Sequence, residues 1–497
     1  MSSTEVNIEK NEVAIKYVDD GFVATDPIQT LNKKKLQNGL LLKVDIILVG
    51  MISLIMLVNQ WDRGNIGNAR LMGLQSDLHI TNGQFYNVLS LYYVGYMLFI
   101  IPAYLTVRSF KANRQIGGCV ILFATFSCCT AAAKNAATVL ALRVLIGAAT
   151  AFLQSLSLYT SLWYKRDEVA TRSGLFYSAS TIAGGFSGLI AYAIQQNLDG
   201  SLGYAAWQWL FIIQGCVGIF VGICSWILLP NPPDQIQGKK HWLFSQEEIE
   251  LAVERLKTYN TVGAGFDWVQ VLVAFKDPKL YLFSLINIGI SLSLSSISSF
   301  LPTFINDFNY SPVQTQLFSI IPYACAFVTL LVLNIASDRL NIKAPFLMLC
   351  HTICIVGYII LMLVTNDKVK LFGTCLITTG VFPSFTIVGA WTGINIGGFT
   401  KRAITWAVTQ VVGQCFSIMA SHIYTDPPRY LKGHSICLAF QVVALLSTCV
   451  VWFWMRRLNE KKDQEAEHHR TAGTIDPQSS LSLEEAYDYH PNFRYIL

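Results

Sequence analysis

The chain has 497 residues, 53% of them hydrophobic and only 13% charged, with a mean hydropathy of +0.44 and a formal net charge of +5. Soluble domains carry about 25% charged residues, so a water-soluble globular protein is excluded. Apolar runs recur between short polar links, the pattern of an integral membrane protein with many spans and no nucleic-acid partner.

Residues 1–43 are polar and end in Lys33-Lys34-Lys35 and Lys43. They read as a disordered cytosolic tail, with no apolar core of a cleavable signal. Candidate spans follow at 44–68, 83–107, 115–133, 136–163, 170–196 and 206–229. After a polar stretch at 230–278, six more lie at 279–305, 313–336, 344–365, 370–392, 403–425 and 434–456. The expected fold is an all-α membrane protein of twelve transmembrane helices, two six-helix bundles over 44–229 and 279–458. Basic residues fall in alternate short loops: Arg108, Lys111 and Arg114; Lys165, Arg166 and Arg172; Arg339 and Lys343; Lys401 and Arg402. The positive-inside rule then places both termini in the cytosol.

The linker carries its own signals. Ser245-Gln246-Glu247-Glu248 is a capping box opening an amphipathic helix. Asp267 to Lys276 reads as a second short helix on the membrane surface, and Asp277-Pro278 starts the seventh span. The tail at 459–497 is charged, polar and expected to be mobile and cytosolic. All twelve cysteines lie in apolar runs and read as packing residues.

The chemistry concentrates at Asn59-Gln60-Trp61-Asp62-Arg63-Gly64-Asn65. Val44 to Val58, as a helix rising about 1.5 Å per residue, reaches roughly 22 Å, short of the ~30 Å hydrocarbon core. The first span must therefore continue through Asp62 and Arg63, and a charge inside a membrane costs about 2.5–3.5 kcal/mol on the mildest scale. A structural ion pair between these two is the competing reading. No GxGxxG, P-loop lysine, HExxH or polar GxSxG occurs, so an enzyme, a cofactor and a metal are not expected.

Two six-span halves about a long linker resemble the major facilitator architecture, with substrate near the midplane. Asp62-Arg63-Gly64-Asn65-Ile66-Gly67-Asn68-Ala69 resembles the first-span signature of the anion:cation symporter family, allantoate permease branch, known mainly from fungi. Tyr92-Tyr93-Val94-Gly95-Tyr96, Arg143-Val144-Leu145-Ile146-Gly147, Trp163-Tyr164-Lys165-Arg166-Asp167-Glu168, Trp207-Gln208-Trp209, Ser337-Asp338-Arg339, Thr400-Lys401-Arg402, Asp426-Pro427 and the closing Asn492-Phe493-Arg494-Tyr495 follow in that family's order.

The resemblance implies uptake of a small organic anion, a carboxylate such as allantoate, nicotinate or pantothenate, by proton symport across the plasma membrane, as a monomer. It implies Arg63 and Arg143 as carboxylate partners and Asp62 as the proton site. Tyr92, Tyr96, Trp391 and Asn395 are then expected to line the substrate cavity, and Asp338 and Arg339 to brace a cytosolic gate. Plain helix packing is the alternative for Arg143 and the aromatic residues. Departures from the family pattern include Thr150 and Gln214 where glutamates are usual, and Gln208 for an arginine. The neutral Thr150 keeps open an exporter of an acidic metabolite, and a non-transporting nutrient sensor is the rival of another class.

Overall fold

The computed structural model describes residues 27–109, 111–257, 267–308, 310, 312–425, 429–473, 479 and 486–497; the first twenty-six residues and Asp426-Pro427 lie outside them. Twelve long helices carry the described fold: α1 (Gly50–Leu71), α2 (Asn82–Ser109), α3 (Ala112–Thr130), α4 (Ala136–Ala151), α5 (Arg166–Leu198) and α6 (Ala206–Leu228), then α7 (Pro278–Asn306), α8 (Pro312–Arg339), α9 (Ala344–Leu363), α10 (Asp367–Asn395), α11 (Phe399–Ala420) and α12 (Leu431–Ala472). Eleven helical segments are long and apolar enough to cross a membrane. The remaining helix, α3, opens on Asn113-Arg114-Gln115, which shortens its apolar stretch, yet it packs between α6 and α4 as a full member of the bundle.

Within the first half α2 lies against α4, α3 against α6 and α1 against α5; in the second, α9 lies against α10 and α7 against α11 and α12. The halves meet along α5 with α8 and along α2 with α11, and more lightly where α1 passes α7. Such bundles lack a hydrophobic drive in lipid, so close approach through small residues sets the crossings. At α2 and α4 the approach is extreme. A Cβ on Gly95 would collide with the Val144 carbonyl, and one on Gly147 with the Tyr92 carbonyl.

The terminal face departs from expectation at three places. A helix over Pro27–Val44 runs through one π-helical turn, Asp45–Val49, into α1, so the disorder expected for 1–43 does not extend to its end. Leu40 and Val44 are buried against Phe244, Ile249 and Ala252 of the linker, and Lys43 Nζ donates to Glu248 at 2.8 Å. The fourth span is interrupted: after α4 comes a 3-10 turn, Phe152–Gln154, then a short helix, Ser155–Ser161, with the Ser155 hydroxyl donating back to the Phe152 carbonyl at 2.6 Å. The linker forms as its sequence dictates. Ser245 and Glu248 complete the reciprocal cap at 3.2 and 2.9 Å, and Asp267 caps the helix Trp268–Lys276.

The third departure is the C-terminus, where α12 continues to Ala472 and residues 486–497 are built into the second half. The Asp488 carboxylate is fully buried and receives Lys279 of α7, Lys401 of α11 at 2.5 Å and the Tyr495 hydroxyl at 2.9 Å. Lys462 donates to the carbonyls of Asp488, His490 and Phe493. Gly398, at φ +83°, turns the chain between α10 and α11, and a Cβ on Gly397 would run into the Tyr487–Asp488 backbone. The mobile tail expected from composition is therefore corrected for this segment: two buried lysines, on α7 and α11, need its acid, and half-buried Lys462 of α12 holds its carbonyls.

Burial alone would raise the Asp488 carboxyl, but Lys279 and Lys401 outweigh it and hold the group down at about 2. A carboxyl held below its unfolded value gives stability that is complete above pH ~4 and lost as the pH falls toward 2, worth roughly 2 kcal/mol. Asp488→Asn should therefore unfold earlier than wild type at neutral pH. The gap between their unfolding midpoints in detergent should close as the pH is lowered from about 5 to about 2.

Candidate functional site

Residues adjacent on a helix are turned about 100° apart and cannot face one another. Asp62 and Arg63 accordingly part company on α1. Arg63, with Asn59 and Gln60 one turn earlier, lines a polar cleft between the two halves; Asp62 and Asn65 turn inward and are buried. With its mouth, the cleft leaves about 790 Å³ free of protein atoms, open solvent included. A structural pair between the two neighbours is thus ruled out by helix geometry.

Arg63 is the one ionisable cation among the described lining residues, and no acid lines the cleft. Its Nε donates to the Tyr92 hydroxyl at 3.1 Å, and its guanidinium carbon lies 5.1 Å from the centre of the Tyr92 ring and 6.0 Å from that of Tyr93. Among the described residues no carboxylate comes within 4 Å of it. The Thr150 hydroxyl stands 3.0 Å from the same Tyr92 oxygen, so Tyr92 bridges α1 and α4. Tyr93 reaches across the seam, its hydroxyl 2.8 Å from that of Ser295 on α7.

Arg143 does not line the cleft. It is buried in its own bundle, with Nη1 3.7 Å from the Asp62 carboxylate, and its Nε and Nη2 have no hydrogen-bond partner among the described residues. At that separation the pair is ionic but not hydrogen-bonded. Asp62 instead accepts from Ser127 of α3 at 2.6 Å, and the Ser127 oxygen is also 2.6 Å from the Gln214 oxygen of α6. Arg143 is thereby the counter-ion of Asp62, and the direct carboxylate contact expected of it is absent from this arrangement.

Other expected lining residues are elsewhere. Tyr96 is buried with Ile100, Ala151 and Ala407 where α2, α4 and α11 meet. Tyr92 is 5% exposed and acts on the cleft only through Arg63. Trp391 and Asn395, at the terminal end of α10, both donate to the Ile496 carbonyl, at 2.8 and 2.9 Å, and the Ile496 amide donates back to Asn395 at 2.8 Å. They anchor the C-terminal segment rather than facing the cleft. Asp338, at the end of α8, accepts from Thr171 of α5 and from Lys343, bridging the halves on the terminal side; Arg339 is exposed. On the opposite side Ser90 lies 3.0 Å from His422.

Several lining residues were not anticipated: Tyr177 and Phe385 in a T-shaped contact at 5.3 Å, Ser291, Ser295 and Ser298 of α7, and Gln410 and Gln414 of α11. The serine-dense run 291–299 and two glutamines in an apolar span were the available signals.

A polar cleft at the seam of two six-helix bundles is the architecture of a membrane transporter, not of an enzyme. A family model for the Major Facilitator Superfamily matches residues 52–422, and the chain belongs to that superfamily. It is 31% identical over 468 residues to an uncharacterised transporter of Schizosaccharomyces pombe, covering 93% of this chain and 91% of that one. It is 28% identical over 499 residues to a high-affinity nicotinic acid transporter of Saccharomyces cerevisiae, covering 99% and 90%. The fold is similar to that of the proton:xylose symporter XylE bound to 6-bromo-6-deoxy-D-glucose, with a TM-score of 0.66 and 13% identity over 81% of this chain and 95% of that chain.

The α2–α4 crossing positions Tyr92 beside Arg63, so Gly147→Ala should cost about 1–3 kcal/mol through overpacking. Its transport rate and unfolding midpoint should both fall, whereas Gly83→Ala, with nothing within 4 Å of the added carbon, should leave both unchanged.

Proposed function

We propose that the chain imports a small organic anion, a monocarboxylate of the nicotinate kind, by alternating access and proton symport. The observation that carries this reading is Arg63: a guanidinium at the cleft wall with a tyrosine hydroxyl and two aromatic faces around it and no acid. An unpaired cation in a low-dielectric cleft is unfavourable, and a planar carboxylate matches its two-pronged donor face. The likeness to a nicotinic acid transporter over nearly the whole chain supports the substrate class.

Asp62 is the proton site in this reading. One serine proton cannot serve two acceptors, and the Asp62–Ser127–Gln214 row can be satisfied in two ways. With Asp62 ionised, Ser127 donates to it and Gln214 turns its amide nitrogen to the serine. With Asp62 protonated, the carboxyl donates to Ser127, and Ser127 to the Gln214 oxygen. The same positions hold either state, and the loose Arg143 contact is what changes in strength between them. An acid buried one residue along the helix from the binding cation offers a route for proton coupling although position 150 is neutral.

Arg63→Ala should abolish uptake of labelled nicotinate and related carboxylates while the protein still reaches the membrane. Arg63→Lys, lacking the planar fork, should recover only a small part. Normal uptake by the alanine variant would refute the assignment. Asp62→Asn should remove the pH dependence of net uptake and spare exchange of internal for external substrate. A protonophore that leaves wild-type accumulation untouched would count against symport.

A further inference from the structure

A second cleft residue is left with its hydrogen bonds unmade. Gln410 of α11 is 0% exposed, lines the cleft, and neither its Oε1 nor its Nε2 has a partner among the described residues. Several other buried amides hold partners, Asn287 through its Nδ2 to the Thr409 carbonyl at 2.9 Å although its Oδ1 is unpaired. Gln441 is satisfied by His351 at 2.7 Å, the Gly289 carbonyl at 3.0 Å and Ser293 at 2.9 Å, and the Gln270 oxygen accepts from the Thr400 and Lys401 amides. A buried amide without partners is costly in a low-dielectric setting, and one facing a cleft is completed by what enters it.

We propose that Gln410 is a specificity-determining residue that hydrogen-bonds the substrate's polar group remote from its carboxylate, a ring or chain nitrogen. The proposal rests on the reading of Arg63 as the carboxylate partner and names a second contact in the same cleft. Arg63 belongs to the first half and Gln410 to the second, so a ligand touching both ties the halves together. A primary amide offers one donor and one acceptor side, so Nε2 donates to a ring nitrogen's lone pair and Oε1 accepts from an N–H. Tyr177, Phe382 and Phe385 supply flat apolar walls beside these polar contacts, which suits a single planar ring.

The test compares nicotinate with benzoate, two ring carboxylates that differ only in the ring nitrogen, using the full chain in liposomes. Wild type should favour nicotinate by about tenfold or more, because a site built to hydrogen-bond rejects the analogue that leaves it unpaired. Gln410→Met keeps the side-chain length and removes both polar atoms. Its nicotinate uptake should fall and its benzoate uptake hold or rise until the two converge, and retained benzoate uptake also shows that the variant folds. Should the methionine variant fail to reach the membrane, Gln410→Ser is expected to show the same levelling. An unaltered nicotinate-to-benzoate ratio in the variant, or loss of both probes at normal abundance, overturns the proposal. Equal uptake of the two by wild type overturns it while leaving the carboxylate reading intact. Uptake of neither by wild type is the failure of the carboxylate reading itself.

Discussion

A guanidinium held in a cleft without an acid beside it is the constraint on which the described architecture turns. Transferring a cation into low dielectric costs several kcal/mol, and a phenol hydroxyl with two aromatic faces offsets only part of that. Its contacts with Tyr92 and Tyr93 hold Arg63 in this position. Glycines at the α2–α4 crossing bring Tyr92 close enough to accept from Nε, and Thr150 fixes the far side of the same hydroxyl. The acid that could have neutralised Arg63, its neighbour Asp62, is carried away by the helix turn and committed to Ser127 and Arg143. Charge separation between adjacent residues of α1 thus leaves a cation open to the cleft and an acid shielded from it.

The two halves are stiffened by different means, and the seam between them is left light. In the first, Arg172 grips Asp45 through two bonds, at 2.7 and 3.0 Å, and Arg255 of the linker reaches Glu168 at 2.5 Å. In the second, the C-terminal segment joins α7, α10, α11 and α12 through Asp488, Ile496 and the carbonyls held by Lys462. Across the seam on the terminal side stands the contact of Thr171 with Asp338, and on the other side the pair Ser90–His422. Strong bonding within each bundle and sparse polar bonding between them suits rigid-body rocking about a central site, since few interactions are exchanged in the motion.

What was legible in the sequence follows from which forces are local. Span positions were legible because a bilayer demands long apolar helices, and the linker caps because Ser245, Asp267 and Asp277 act within three residues of themselves. Arg63 was legible as a costly charge in a span. Facing was harder: nothing in Arg143 itself tells whether it meets the cleft or Asp62, since the answer depends on the rotation of α4 about its axis. Trp391 and Asn395 were misplaced because their partner is the backbone of Ile496, a hundred residues later, and a main-chain carbonyl leaves no signature in the sequence. Composition likewise hid the packing of residues 486–497, because it counts charges without revealing that Asp488 meets two buried lysines.

The neutral residues at 150 and 214 acquire a common meaning from this geometry. A glutamate at position 150 would stand next to the Tyr92 hydroxyl, close to Arg63, and would compete with an incoming carboxylate for it; the threonine removes that competitor. A glutamate at 214 would put a second acid on Ser127 beside Asp62, and two carboxylates sharing one donor push one another toward the protonated form. Glutamine keeps the hydrogen-bonding row and leaves Asp62 the single acid in it. On the proposed reading, both changes act in one direction. They concentrate anion recognition on Arg63 and proton exchange on Asp62, two residues joined by one peptide bond, so that any shift of α1 that moves the first must also move the second.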